Sequence, residues 1–224
     1  MSADTNSSRF APLDTLSTEL ETQLNQTLIS KFLAQDCCAL QPNLSSYGVF
    51  GVYALYYYGD DPFYEPISNV AHKTHVPIFV GVSHPTAYST YSASDKQTLA
   101  QTISSHQTRL TDFDRFNRSD FKIRTLSLEP VWIHHTAQLL IDAYQPWWNT
   151  YITGFSPKRN DDVWGRFHDP DTHDETRRAV VEPAIEKAKA ERTYKDKHNI
   201  GRNELVSMNA PAREEATLNE FARQ

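Results

Sequence analysis

From position 14 onward an apolar residue recurs every fourth place: Leu16, Leu20, Leu24, Leu28 and Phe32. That spacing lays one apolar stripe along a helix. Asp14 suits its N-cap, and Thr18 with Glu21 has capping-box spacing one turn on. The stripe is expected to pack on a sheet or on a partner subunit. Residues 41–46 ("QPNLSS") read as a loop. Next comes "GVFGVYALYYYG", residues 48–59, β-branched and aromatic, which reads as a central strand. Gly59-Asp60-Asp61-Pro62 is a turn signal. "VPIFVGVS", residues 76–83, is a second strand, joined to the first by a wide hairpin. "ASDKQTLAQTISSH" predicts a helix capped by Ser94 or Asp95, with Leu99, Ile103 and His106 on one side. "FKIRTLSLE", residues 121–129, alternates imperfectly and predicts a third strand. "VWIHHTAQLLIDAY", residues 131–144, predicts an apolar helix ending before Pro146, and "QPWWNT" a tight corner.

After Gly154 the pattern turns polar and loop-like through residue 178. Residues 174–197 are charged and helical, with Pro183 as a break point, and the last sixteen residues suit a short surface helix or a frayed end. The expected plan is α+β: a small antiparallel or mixed three-stranded sheet flanked by helices, with an N-terminal helix and a helical C-terminal extension. The division expected is a disordered tip at 1–12, a helix and loop at 13–46, a core at 47–168 and an extension at 169–224.

Composition narrows the class. The chain has 224 residues, 39% of them hydrophobic and 22% charged, enough for one domain with a real core. Mean hydropathy is −0.59, and no apolar run approaches the roughly 20 residues of a membrane helix. The first ten residues lack the basic and apolar regions of a secretory signal. Cys37 and Cys38 are adjacent, an arrangement that seldom bridges and cannot build a cysteine zinc site alone. A cytoplasmic setting is the expectation. The net charge of −6 argues against broad affinity for nucleic acid, which needs clustered Lys and Arg.

Two runs carry candidate chemistry. "GVY" at 51–53 and "FVG" at 79–81 resemble the paired signature of the GIY-YIG nuclease superfamily. "GVYALYY", "PIFVG", a helix ending in His106, "LLIDAYQPWWNT" and "GFS" at 154–156 follow the order of its compact type II restriction endonucleases that cut a GC-rich palindrome. "GRFH" at 165–168 is similar to a piece found after that core. The resemblance covers roughly residues 48–168. It implies phosphodiester hydrolysis with an activated water, a divalent metal and a cation on the transition state. It also implies a tyrosine from each half-signature, an arginine and a histidine one turn apart, a metal-binding glutamate, and a supporting asparagine.

Carried over position by position, the set is incomplete. Tyr53, His106 and Asn149 match. Phe79 stands where the second tyrosine would be, Thr102 where the arginine would be, and Gln138 where the glutamate would be; Val82 replaces a lysine common after the second glycine. A neutral amide holds Mg²⁺ far less well than a carboxylate. Glu129 is nine residues before Gln138, about 13 Å along a helix, too far to share an ion. Arg109, one turn after His106, is the candidate substitute cation. Each matching residue also has a plain alternative: Tyr53 as core packing, His106 facing a helix C-terminus, Asn149 capping a turn, Gln138 satisfying a buried neighbour. His134 and His135 invite a zinc reading, but adjacent helical positions point about 100° apart, against a shared ion.

Arg109, Arg115, Arg118, Lys158 and Arg159 are the candidate DNA contacts, interleaved with aspartates in the manner of a solvated face. The first expectation is therefore a pseudo-nuclease that binds duplex DNA or a partner protein, as a homodimer or beside an active relative, with no cofactor. The second is an active Mg²⁺-dependent type II endonuclease with displaced groups. The third is a protein-binding inhibitor or immunity-type module.

Overall fold

The computed structural model of the chain describes residues 15–40, 50–70, 76–84, 98–111, 116–155 and 163–198. Within these, four strands form one sheet: β1 (Cys38–Ala39), β2 (Gly51–Tyr57), β3 (Pro77–Ser83) and β4 (Phe121–Ser127), in the order β1-β4-β2-β3. Every pairing is antiparallel. The helices are α1 (Thr15–Leu33), α2 (Leu99–Thr111), α3 (Pro130–Tyr144), α4 (Trp147–Thr150), α5 (Val163–His168) and α6 (Asp174–His198). The α+β plan holds, with one strand more than expected. β1 is two residues long, too short to show any period in the sequence.

β2 is central, and all seven of its residues are buried. Strand alternation therefore feeds two cores. Tyr53, Leu55 and Tyr57 face one side, with Leu99 and Ile103 of α2, Trp147 and Trp148 of α4, Trp164 and Phe167 of α5, and Val181 and Ala184 of α6. Val52, Ala54 and Tyr56 face the other, with Phe32 of α1 and Ala137, Leu140 and Tyr144 of α3. The first core is dense in rings, and a buried chain of polar atoms ties it together. Trp148 Nε1 donates to the Tyr64 hydroxyl at 3.0 Å. That hydroxyl lies 2.6 Å from His168 Nε2, and His168 Nδ1 lies 2.7 Å from the Trp164 carbonyl. The carbonyl can only accept, so His168 carries its proton on Nδ1, and its Nε2 accepts a hydrogen bond donated by the Tyr64 hydroxyl.

Several local expectations change. α2 begins at Leu99, capped by Thr98, whose hydroxyl accepts the Gln101 N–H while the Gln101 side chain accepts the Thr98 N–H. This capping box replaces the expected Ser94 or Asp95 cap, both of which fall outside the described residues. α2 also runs on to Thr111, so His106 is inside the helix and not at its end. The α1 stripe is buried only toward its C-terminus: Leu28 and Phe32 are in the core, whereas Leu20 is 58% exposed. The corner after α3 is a left-handed Gln145 followed by the short helix α4. The polar stretch read as a loop contains α5, with Trp164, Phe167 and His168 buried. α6 continues through Pro183 without a break. Arg177 of α6 donates to the Phe167 and Asp169 carbonyls and pairs with Asp174, which closes the C-terminal end of α5. Asp14, residues 41–46 and the final tail lie outside the described residues.

Candidate active site

Tyr53 and Gly81 are register partners on β2 and β3. A methyl group added at Gly81 would come within 3.0 Å of the Tyr53 ring and hydroxyl and of the Phe79 ring. The glycine therefore leaves room for the tyrosine to lie across the neighbouring strand. This links the two runs that looked alike in the sequence: one supplies the ring, the other its berth.

Around that ring the structure gathers three more. Tyr53 lies 6.1 Å from Phe79 and 5.8 Å from His106, centroid to centroid. Phe79 is 5.4 Å from His106 and 5.1 Å from Phe155. Phe155 stacks on the imidazole at 4.6 Å with planes 18° apart. Tyr53 and His106 are buried, at 1% and 5% exposure, while Phe79 is only partly buried. Burial raises the Tyr53 phenol well above its ordinary range. Burial, with a smaller contribution from the Arg109 guanidinium, lowers the His106 pKa to about 4. His106 is thus neutral at physiological pH, and its Nδ1 finds no hydrogen-bond partner among the described residues.

Asn149, on α4, has a different task. Its Oδ1 accepts the Val80 N–H at 2.8 Å, and its Nδ2 donates to the Val80 carbonyl at 2.8 Å. β3 is an edge strand, so the amide takes the place of a missing neighbour strand and holds the backbone next to Phe79.

The chain matches the family model described as Eco29kI GIY-YIG domain over residues 45–175. It belongs to the GIY-YIG restriction-endonuclease-like family. In the comparison with curated proteins no relative matches.

GIY-YIG nucleases are typically metal-dependent, so the donor set decides whether such an ion fits. Among the described residues, the ring contacts of Tyr53 and His106 are with each other, one a buried phenol and one a neutral imidazole, and with Phe79 and Phe155. Among the described residues no group of three or more His, Cys, Asp or Glu side chains could hold a metal. Mg²⁺ is held through one or two carboxylates with water in the remaining positions, and this described set, which has none, does not fit it. Gln138 does not reach the site. It is exposed on α3, donating from Nε2 to Asp142 Oδ1 at 2.7 Å, and α3 packs on the sheet face opposite Tyr53. It satisfies no buried neighbour. The adjacent Ala137 is the α3 residue turned to the sheet, so shifting the family position by one restores no carboxylate. Glu129 is the exposed N-cap of α3.

The other sequence candidates scatter. Thr102 donates its hydroxyl back to the Thr98 carbonyl at 3.1 Å. Arg109 is 2% exposed, its guanidinium over the Trp164 ring at 4.8 Å and 3.5 Å from the Gly154 carbonyl, within the core and not on a DNA-facing surface. Arg118 is exposed in the 3-10 turn Arg118–Asp120. Arg115, Lys158 and Arg159 lie outside the described residues. Sequence reasoning missed Phe155 and Trp164 as site neighbours. The signal was there in "GFS" and "VWG", an aromatic in each, but polar flanks hid it.

Proposed function

We propose that this chain is a GIY-YIG pseudo-nuclease: it keeps the family scaffold, binds duplex DNA, and does not cut it. The observation that carries the reading is the make-up of the Tyr53–Phe79–His106–Phe155 group. Hydrolysis of a phosphodiester requires a group within hydrogen-bond reach of the attacking water and charge opposite the developing oxyanion. Here the imidazole is neutral and enclosed by rings, and Phe79 brings no hydroxyl. Arg109, the nearest cation in the sequence, is turned onto Trp164. Membership of a nuclease family supports DNA as the target, with self-association or an active relative as further partners.

The test is incubation of the purified chain with a sequence-diverse plasmid set and Mg²⁺ or Mn²⁺, alongside a mobility-shift titration on the same DNA. We expect retained binding, weakened by salt, and no double-strand product. Site-specific cutting would overturn the proposal. The triple variant Phe79→Tyr, Thr102→Arg, Gln138→Glu is expected to stay inactive, because the carboxylate it adds lies on the wrong face of the sheet.

A further inference from the structure

His134 is one of two adjacent histidines on α3, and its neighbour is already engaged: His135 Nε2 lies 2.6 Å from Asn25 Oδ1 of α1. The companion of His134 comes from elsewhere in the chain. His84 follows β3 directly, and its ring centroid lies 4.6 Å from that of His134, with the planes 59° apart. Strand alternation explains the meeting. Val80 and Val82 face the α3 side of the sheet, and His84 is next in that set. On α3 the solvent-facing stripe runs Val131, His134, Gln138, Asp142, with steps of three, four and four.

The spacing of the two rings, which is also that of ordinary ring packing, accommodates two ligands on one ion. A metal–nitrogen bond of about 2.1 Å places each imidazole centroid roughly 3.2 Å from the metal. Two such rings at a right angle then have centroids about 4.5 Å apart, and at a tetrahedral angle about 5.2 Å. A third donor is one turn away. The Asp142 carboxylate can only accept, so the Gln138 amide must turn its NH₂ toward it, which leaves the carbonyl oxygen directed away from Asp142.

We propose that His84, His134 and Gln138 bind one divalent transition-metal ion of the zinc, nickel or copper(II) type, through two imidazole nitrogens and one amide oxygen, with water in the remaining positions. Neutral imidazole suits these ions and not Mg²⁺ or Ca²⁺. The ion would tie the end of β3 to the first turns of α3, on the sheet face away from Tyr53, and takes no part in phosphodiester chemistry.

The experiment is a calorimetric titration of the tag-free full chain with Zn²⁺ at pH 7.5, compared with His84→Ala, His134→Ala, Gln138→Ala and a Cys37→Ser/Cys38→Ser variant. We expect one saturable site of micromolar affinity in the native chain and in the serine variant. Each histidine variant should weaken it at least tenfold, and Gln138→Ala by a few-fold. His134 is exposed, so its variant is expected to fold, and an unchanged circular dichroism spectrum checks this. No saturable site, or a site that persists in both histidine variants, would overturn the proposal.

Discussion

His106→Phe offers the most direct test of the buried imidazole. Burial and the nearby Arg109 hold the native imidazole pKa near 4 against an ordinary 6.5. Because the folded value is the lower one, the unfolded chain takes up a proton on this group first as pH falls. Stability from His106 is therefore complete above about pH 6.5, drains away between about 6.5 and 4, and reaches a floor below. Between pH 7.5 and 4.5 the loss comes to about 2.5 kcal/mol, from a shift of 6.5 to about 4. The phenylalanine variant lacks this proton site and keeps a flat ring among Tyr53, Phe79 and Phe155. Urea unfolding of both proteins at the two pH values gives the answer as a double difference, in which the carboxylates and the other histidines cancel. The native protein should lose about 2 to 3 kcal/mol more than the variant. Equal losses would show that His106 titrates freely in the folded state, and the enclosed, neutral imidazole would have to be abandoned.

Two further substitutions probe what surrounds that ring. Gly81→Ala forces a methyl into the berth of Tyr53 and should cost about 1 to 3 kcal/mol in urea unfolding, with an altered near-ultraviolet tyrosine signal; a neutral result would refute the berth. Asn149→Ala removes both bonds to Val80 and should cost about 1 to 2 kcal/mol. Asn149→Asp keeps the acceptor but sets a carboxylate against the Val80 carbonyl, so it should destabilise at neutral pH and recover part of the loss as pH falls through the raised pKa of the folded acid, with recovery complete by about pH 4.

The fold was more legible than the site, for a physical reason. Strand β2 announces itself as a continuous apolar and aromatic run because it is buried on both faces, and helix α3 by the period that its packed face imposes. The capping box at Thr98 and Gln101 was equally local and could have been read, but Ser94 and Asp95 offered the same chemistry a turn earlier. Two residues of β1 carry no period, and α5 hides Trp164 and Phe167 among charges. The site fails differently. Spacing along the chain correctly brings Tyr53, Phe79 and His106 together, because two are on paired strands and the third on a helix packed against them. It cannot say which way a helix is rolled, and the roll of α3 is what takes Gln138 away from Tyr53.

The surviving signature residues divide along the same line. Tyr53 fills a berth cut by Gly81, and Asn149 completes an edge strand, so the sheet needs both regardless of any reaction. Where the family pattern is broken, the side chains have settled into ordinary roles: Phe79 packs, Thr102 bonds its own helix, and Gln138 bonds Asp142 in solvent. His106 does not divide so neatly. It is buried and neutral, with an Nδ1 that no described residue satisfies, and an unsatisfied polar atom in a ring-lined pocket costs about 1 to 3 kcal/mol. A residue kept only for packing would be better replaced by a hydrocarbon ring. His106→Phe should therefore be more stable than the native protein even at pH 7.5, where titration plays no part. A gain in stability accompanied by weaker DNA binding would place the imidazole in recognition; a gain with binding unchanged would show that recognition does not use it.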